Sequence, residues 1–344
     1  MAKLIIHATN IHKGGGAVLL TGLLREIPSY MRTVVAVDAR LVMPDDIPTH
    51  IIIHRVNPTV FGRFRAEFNL VRNAKIDDSV LCFGNLPPLF NIKGKISVFL
   101  QNRYLVDRFS ILGTLPIKMC LRLLVERIWL SFFKNRANLY FVQTFSMKQM
   151  VEERLGVQAI CAPFVPESVM HPNISLDYES VRFDFLYVAS GEAHKNHRVL
   201  ISAWGILASE GIYPSLALTL EPVDEPKLMA LIVNECKSKH MHIHNLGNLS
   251  HEQLLAIYRQ SRALIYPSNF ESFGLPLIEA RSMGLAILAS ELDYVRDITD
   301  PEETFDSRSP QSIARAVKRF IQRKNKTFEP LHMNTFLDLV SQRT

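Results

Sequence analysis

Between Ala263 and Met283 the chain changes its hydrophobic period abruptly, and that change limits what can be built around it. Ala263, Leu264 and Ile265 form an apolar run that reads as a buried strand, whereas Leu277, Ile278 and Met283 recur at helical spacing. The string Y-P-S-N-F-E-S-F-G-L-P-L-I-E-A, from Tyr266 to Ala280, joins the two. Pro276 suits a first helical position, where a missing N–H costs nothing. Gly274 lets the backbone take positive φ or pass close to a ligand. The local geometry is therefore strand, tight loop, helix start, with Glu271 in the loop and Glu279 in the helix. Free N–H groups at such a helix start attract an anion such as phosphate. The carboxylates serve hydroxyls better than anions, because an ionised carboxylate only accepts hydrogen bonds. Taken singly, Glu279 could instead complement the helix dipole and Glu271 sit in solvent. Taken together, they suit a ligand with both hydroxyls and phosphates, which describes a nucleotide sugar.

At 344 residues, with 48% hydrophobic and 21% charged side chains, the chain is long enough for two ordinary cores. Cys82, Cys120, Cys161 and Cys236 lie far apart with no C-x-x-C pair, which points to a reducing cytoplasm and no structural zinc. No stretch approaches the ~20 apolar residues that span a bilayer, and the first residues lack the long apolar region of a signal peptide. The net charge of +6 favours an anionic partner: a nucleotide diphosphate, an acidic membrane or a nucleic acid.

The chain opens as it continues later, with a strand (Leu4 to His7), a turn at Gly14, Gly15 and Gly16, and a helix carrying Val18, Leu19, Leu23, Leu24 and Ile27. Such a unit lets a diphosphate approach the glycines, although the G-x-G-x-x-G spacing of a dinucleotide site is missing. Strands follow at Thr33 to Val37, Ile51 to Val56, Ser79 to Cys82, Ile96 to Leu100 and Leu139 to Gln143. The α/β pattern restarts at Phe185, after a proline-bearing stretch from Cys161 to Asp177 that reads as a linker. A lysine before the next helix, Lys195, can reach phosphate oxygens as a point charge. Ser250 and Gln253 have capping-box spacing. His240, His242 and His244 alternate, so a strand would place all three on one face, yet such residues rarely converge on one ion. From Pro116 to Lys134 an apolar helix carries Lys118, Arg122, Arg127 and Lys134, with Arg103 and Arg108 upstream. It reads either as a helix packed on the sheet or as one lying on an anionic membrane surface.

The glutamate pair with F-G-x-P between them, after P-S, resembles the signature of the large retaining glycosyltransferase family 4. The resemblance is strong from Phe185 to Asp297 and weaker over the rest of the chain. It implies two facing Rossmann-like α/β domains, the GT-B fold, with the active site in the cleft between them. The first would span residues 1–165 and hold the acceptor, joined by a returning helix at 323–344. The second, 175–322, would bind the nucleotide sugar. The resemblance implies that Glu271 contacts the transferred sugar, Glu279 the ribose and Lys195 the diphosphate. Gly15 and Gly16 would face the donor across the cleft. Phe273, Gly274, Leu275, Ser190 and Asn248 complete the expected donor site.

Two departures stand out. Where many members carry a histidine near the acceptor, this chain has Gln101, Asn102 and Arg103, and neither amide is a general base. The arginine usual before the loop lysine is absent between Phe183 and His197. No D-x-D occurs, so no metal and no cofactor beyond the donor substrate is expected. The flavour of Q-N-R-Y-L and S-G-E-x-H-K-N-H is similar to bacterial enzymes that build O-antigen on a lipid carrier. The expected partners are a nucleotide-diphosphate sugar and a lipid-linked glycan at the inner face of the membrane. A glycoside hydrolase using Glu271 with a second carboxylate, and a basic nucleic-acid-binding protein, are the alternatives; no nucleic-acid motif supports the latter.

Overall fold

The computed structural model describes residues 2–108, 115–166 and 181–322. The linker expected from Cys161 to Asp177 falls largely outside them, and the returning helix expected at 323–344 falls wholly outside. The first half runs β1 (Leu4–Ala8), α1 (Gly15–Arg25), β2 (Thr33–Asp38), β3 (Ile52–Val56), α2 (Val60–Asn73), β4 (Ser79–Cys82), β5 (Lys95–Phe99), α3 (Ile117–Phe133), β6 (Leu139–Val142), α4 (Phe145–Leu155) and β7 (Ala159–Cys161). The second runs β8 (Phe183–Tyr187), α5 (His197–Ser209), β9 (Leu216–Leu218), α6 (Pro226–Lys239), β10 (Ile243–Asn245), α7 (His251–Arg259), β11 (Ser261–Tyr266), α8 (Leu275–Ser282), β12 (Ala286–Ser290), α9 (Asp293–Arg296), β13 (Glu303–Phe305) and α10 (Pro310–Gln322).

Each half forms one parallel sheet. The first has strand order β3-β2-β1-β4-β5-β6-β7 and the second β10-β9-β8-β11-β12-β13. Ile5 pairs with Val34 on one side and Val80 on the other; Ala263 is likewise flanked by Phe185 and Ala286. Parallel strands covered on both faces are apolar throughout, which is why β11 appears in the sequence as a continuous run. In both sheets the strand order reverses beside the first strand, between β1 and β4 and between β8 and β11. Open α/β sheets bind ligands at the carboxyl ends of strands flanking such a reversal. Every loop singled out in the sequence for donor binding leaves its sheet at that edge.

Local chemistry fixes the helix ends. Thr144 accepts from the Met147 amide at the start of α4. Ser250 and Gln253 form the full reciprocal capping box of α7. One core, around Trp204, Phe185, Tyr187 and Tyr266, fills the second domain. Two others fill the first, one around Tyr140 and Leu130 and one around Leu20 and Phe99. Leu275 packs on the latter and Phe270 on the former, so both first-domain cores are capped by the second domain's Glu271 loop.

Two expectations change. The three alternating histidines do not share a strand: His240 caps α6 in the left-handed conformation (φ 54°), and only His244 enters β10. That cap turn breaks the alternation on which a common face depends. Helix α3 is also not the buried stripe its apolar content allows. Only Leu123 and Leu130 are buried, while Ile117 is 87% and Phe132 79% exposed. Arg127 is not on the solvent side; its guanidinium donates to the carbonyls of Tyr104 (2.8 Å) and Asp107 (2.9 Å).

Candidate active site

The loop between β11 and α8 turns into its helix through Gly274, whose φ of +79° is the left-handed conformation a side chain resists. Pro276 follows within the first turn of α8. The same loop is tied to the one after β8, because the Asn269 amide and the Ser268 hydroxyl both donate to the His194 carbonyl (2.8 and 3.1 Å). Asn196, at φ +64°, donates from its amide to the carbonyls of Pro267 (3.1 Å) and Ser307 (2.6 Å). Three loops at the carboxyl edge are thus stitched into one surface.

On that surface Lys195 Nζ lies 2.6 Å from Glu271 Oε1, and the Tyr266 hydroxyl donates to the same oxygen at 3.0 Å. The carbonyl of Lys195 accepts from the Tyr187 hydroxyl at 2.5 Å. Both partners of the ion pair are mostly buried, and leaving either one alone there costs several kcal/mol, on the order of 3–5. Glu279 sits further along α8 itself, 8% exposed, and accepts from the Tyr258 hydroxyl at 2.8 Å. Burial pushes its carboxyl above the usual range, and the Tyr258 hydrogen bond works partly against that. Burial also pushes the Tyr258 and Tyr266 phenols well above their ordinary values, so both remain donors.

These tyrosines are what sequence reading missed. In the sequence each looks like part of an apolar segment, and Tyr258 and Tyr266 differ from core aromatics only in needing a partner for a buried hydroxyl. The one available signal was that Tyr266 lies five residues before Glu271; Tyr258 is 21 residues from Glu279 and gives none.

The first domain closes over this surface. A Cβ on Gly15 would lie 3.4 Å from Leu275 Cδ1, so the glycine-rich turn rests against the start of α8. A Cβ on Gly16 would lie 3.1 Å from Gln101 Oε1. Asn85, at φ +72°, accepts through Oδ1 from the amides of Gln101 (2.6 Å) and Asn102 (2.8 Å), and so sets the turn after β5. From that turn Arg103 spans the cleft. Its guanidinium lies 4.9 Å from the Phe270 ring centre and donates to the Glu271 carbonyl (3.4 Å) and to Asp107 (2.8 Å). Tyr104 stacks on Phe270 at 4.1 Å.

The structure therefore gathers Lys195, Glu271, Gly274, Leu275, Gly15, Gly16, Gln101 and Arg103 around one cleft, with Glu279 behind them. Phe273 is buried beneath the loop. Asn102 caps the short turn at Arg103–Leu105, accepting from the Tyr104 amide (3.1 Å), and does not cross the cleft as Arg103 does. Ser190 donates to Glu192 on an exposed part of the loop after β8. Asn248 is exposed after β10, where Asn245 is the structural residue, bonding the Leu220 amide and carbonyl through one side chain (2.9 and 3.0 Å).

Residues 178–331, somewhat under half of the chain, match the family model described as glycosyl transferases group 1. An O-antigen chain mannosyltransferase B from Escherichia coli is 30% identical over 115 residues, 33% of this chain and 30% of that protein. The chain thus matches less than a third of that relative's length. A UDP-forming α,α-trehalose-phosphate synthase from Burkholderia xenovorans superposes with a TM-score of 0.68 over 94% of this chain and 92% of its own, at 14% identity. The Anabaena HepE protein, solved in complex with UDP and glucose, gives 0.62 over 94% and 90%, also at 14% identity. These likenesses in structure establish the fold along nearly the whole chain. Residues 178–331 therefore resemble the glycosyl transferases group 1 family, and the two parallel-sheet domains together have the GT-B fold.

Proposed function

We propose that this chain is a retaining glycosyltransferase that moves a sugar from a nucleotide-diphosphate donor to a hydroxyl of a glycan acceptor. The observation that carries the reading is the Lys195–Glu271–Tyr266 cluster, placed beside Glu279 at the reversal of the second sheet and faced by a glycine-rich turn. In the donor complex Lys195 leaves Glu271 for the diphosphate, and the amides at the start of α8 add to the stabilisation of the departing charge. Glu271, relieved of the ammonium and still held by Tyr266, accepts a hydroxyl of the transferred sugar. Glu279, fixed by Tyr258, accepts from the ribose. No side-chain nucleophile is needed if the leaving phosphate takes the proton of the acceptor hydroxyl on the same face. Charge on the leaving group is met by Lys195 and amides, so no metal or other cofactor is assigned a role.

The relative that acts as an O-antigen mannosyltransferase makes mannose the first sugar to test and a lipid-linked glycan the first acceptor. Such an acceptor places the enzyme in the cytoplasm at the inner face of the membrane. The exposed apolar side of α3 supports that contact. Among the described residues no helix is long and apolar enough to cross a membrane. The decisive experiment is a screen of sugar release and transfer across UDP-, GDP-, ADP- and dTDP-sugars, with the anomeric configuration of the product read by NMR. One nucleotide sugar should be turned over with retention. A product of inverted configuration would sink the mechanism, and no turnover of any donor would sink the activity.

A further inference from the structure

We propose that the carboxyl edge of the first sheet carries a second anion site, formed by Arg40 and Arg63 around Asp38 with His12 and Lys13 beside it, which takes a phosphate or diphosphate group of the acceptor. Asp38 is the last residue of β2 and is fully buried. Its carboxylate accepts from Arg40 Nε (2.9 Å) and Nη2 (2.8 Å) and from the Arg40 amide (3.0 Å), and Arg63 Nη2 lies 3.8 Å away. Two guanidinium groups therefore share one carboxylate that is turned inward, while their own side chains are 47% and 40% exposed. A third, Arg55, is fixed next to them by the carbonyls of Ala39 and Leu41. Lys13 adds an exposed ammonium. One negative charge thus stands against four positive ones.

Two polar atoms in this group are buried without a hydrogen-bond partner among the described residues, Arg63 Nε and His12 Nδ1. A buried donor left unpaired costs about 1–3 kcal/mol, so a site that holds one is suited to a ligand that satisfies it. Desolvation and the positive charge of Arg40 hold the His12 imidazole below its ordinary pKa, as expected beside a cationic surplus. Asp38 acts as the anchor: it fixes the guanidinium planes in advance, which lowers the ordering cost of binding.

The placement assigns the ligand to the acceptor. His12 and Lys13 immediately precede Gly14, and Arg63 lies in the first turn of α2, so the cluster shares the sheet edge of the glycine-rich turn. The donor diphosphate has its own cation, Lys195, in the other domain. An anion held by Arg40 and Arg63 therefore belongs to what the first domain binds. This inference rests on the glycosyltransferase reading for the word acceptor, though not for the site itself.

The test is calorimetry of inorganic pyrophosphate and of farnesyl diphosphate on the full chain, in a Lys195→Ala background that weakens the donor site. Pyrophosphate should still bind. Adding Arg63→Gln, or Arg40→Gln, should weaken it about tenfold or more, as loss of a charge-assisted hydrogen bond requires. Arg63→Lys should recover part of the loss, and melting curves show that each variant is folded. A lipid-borne diphosphate as the natural source predicts tighter binding of farnesyl diphosphate, lost with the same substitutions; equal affinities point to a soluble phosphorylated acceptor. Pyrophosphate binding that ignores both arginines would overturn the site. Titration of wild-type protein with UDP and GDP is the separate check on the donor reading. Arginine-dependent pyrophosphate binding without any nucleotide binding would sink that reading and leave this site standing.

Discussion

Glu271 Oε1 receives both Lys195 and Tyr266, so the two residues that a sequence reading treats as independent are one electrostatic unit. Lys195→Ala should weaken nucleoside diphosphate binding far more than nucleoside binding, and Glu271→Ala should depress turnover with bare nucleotide binding nearly intact. Because each substitution strands the other partner, the double variant should lose less than the sum, by an interaction energy of about 0.5–3 kcal/mol. Additive losses in a double-mutant cycle on turnover would show that the pair does not couple. Glu279→Ala removes a charged acceptor and should cost about 1.5–3 kcal/mol of nucleoside diphosphate affinity, measured by calorimetry. Since burial raises the Glu279 carboxyl, it takes up its proton earlier on acidification than an exposed glutamate. Nucleotide affinity should therefore fall as pH drops through that raised value, and Glu279→Gln should flatten the profile. His197 shows the opposite sign. Desolvation lowers its imidazole from 6.5 to about 4, and neither ring nitrogen has a partner among the described residues. The unfolded chain then gains the proton first, so stability is full above pH 6.5 and is lost between 6.5 and 4, to about 3 kcal/mol. His197, whose ring lies tilted against Tyr187 at 4.8 Å, can be replaced by a ring that does not titrate, and His197→Phe should melt with a shallower dependence on pH across that window. An unchanged slope would locate the acid sensitivity elsewhere.

At the scale of an element, α3 is the informative case. Its composition fits either a packed helix or a membrane-surface helix. The exposure of Ile117, Leu121, Leu124, Val125, Ile128 and Phe132 favours the second. Helix α2 continues the same character with Val60, Phe61, Phe64 and Phe68 exposed. The segment from Leu86 to Phe90 links the two helices: the Trp129 indole donates to the Pro87 carbonyl (2.9 Å), and Phe64 meets Phe90 edge-on at 5.5 Å. Lys118 and Arg122 supply charge at the rim, whereas Arg127 is engaged by the fold. Lys118→Gln with Arg122→Gln should reduce co-sedimentation with anionic liposomes, each cation contributing about 1 kcal/mol. Raising salt should have the same effect on the wild type, because such contacts are screened. Binding that is weak from the start and indifferent to salt would mean that these faces meet something other than an anionic bilayer.

Among the described residues the contacts between the two domains include Tyr104 on Phe270, Arg103 on Phe270 and the Glu271 carbonyl, Leu275 on the core of the first domain, and the Ser146 amide donating to Asp297 (2.9 Å). The stack is worth about 0.5–1.5 kcal/mol beyond its buried area. Its site is the loop that carries Glu271, so this interdomain contact bears directly on the position of that acid. Phe270→Ala should widen the distribution of interdomain distances in X-ray scattering and raise the KM for the donor more than it lowers nucleotide affinity. Unchanged scattering and kinetics would mean that the cleft is set by other contacts.

Much of this was legible in the chain. The change of period at Tyr266, Pro276 at the helix start, the capping box at Ser250 and the apolar runs of covered strands are local chemistry, so α/β units and the Glu271–Glu279 loop could be placed without coordinates. The identity of each acid's partner could not, because Tyr258, Tyr266 and Lys195 reach the glutamates through strand order and loop packing, to which sequence spacing is blind. The histidines at 240–244 failed for a related reason: alternation implies a common face only within a strand, and a left-handed cap interrupts it. Arg40, Arg63 and Asp38 carry no motif at all. They come from two segments, the end of β2 and the first turn of α2, and only the parallel pairing of β2 with β3 brings these to one edge. What the sequence determined is set by backbone preference and periodicity, which act over a few residues; what tertiary structure decided is set by the pairing of buried charge and hydroxyl groups, which have to find partners across the sheet.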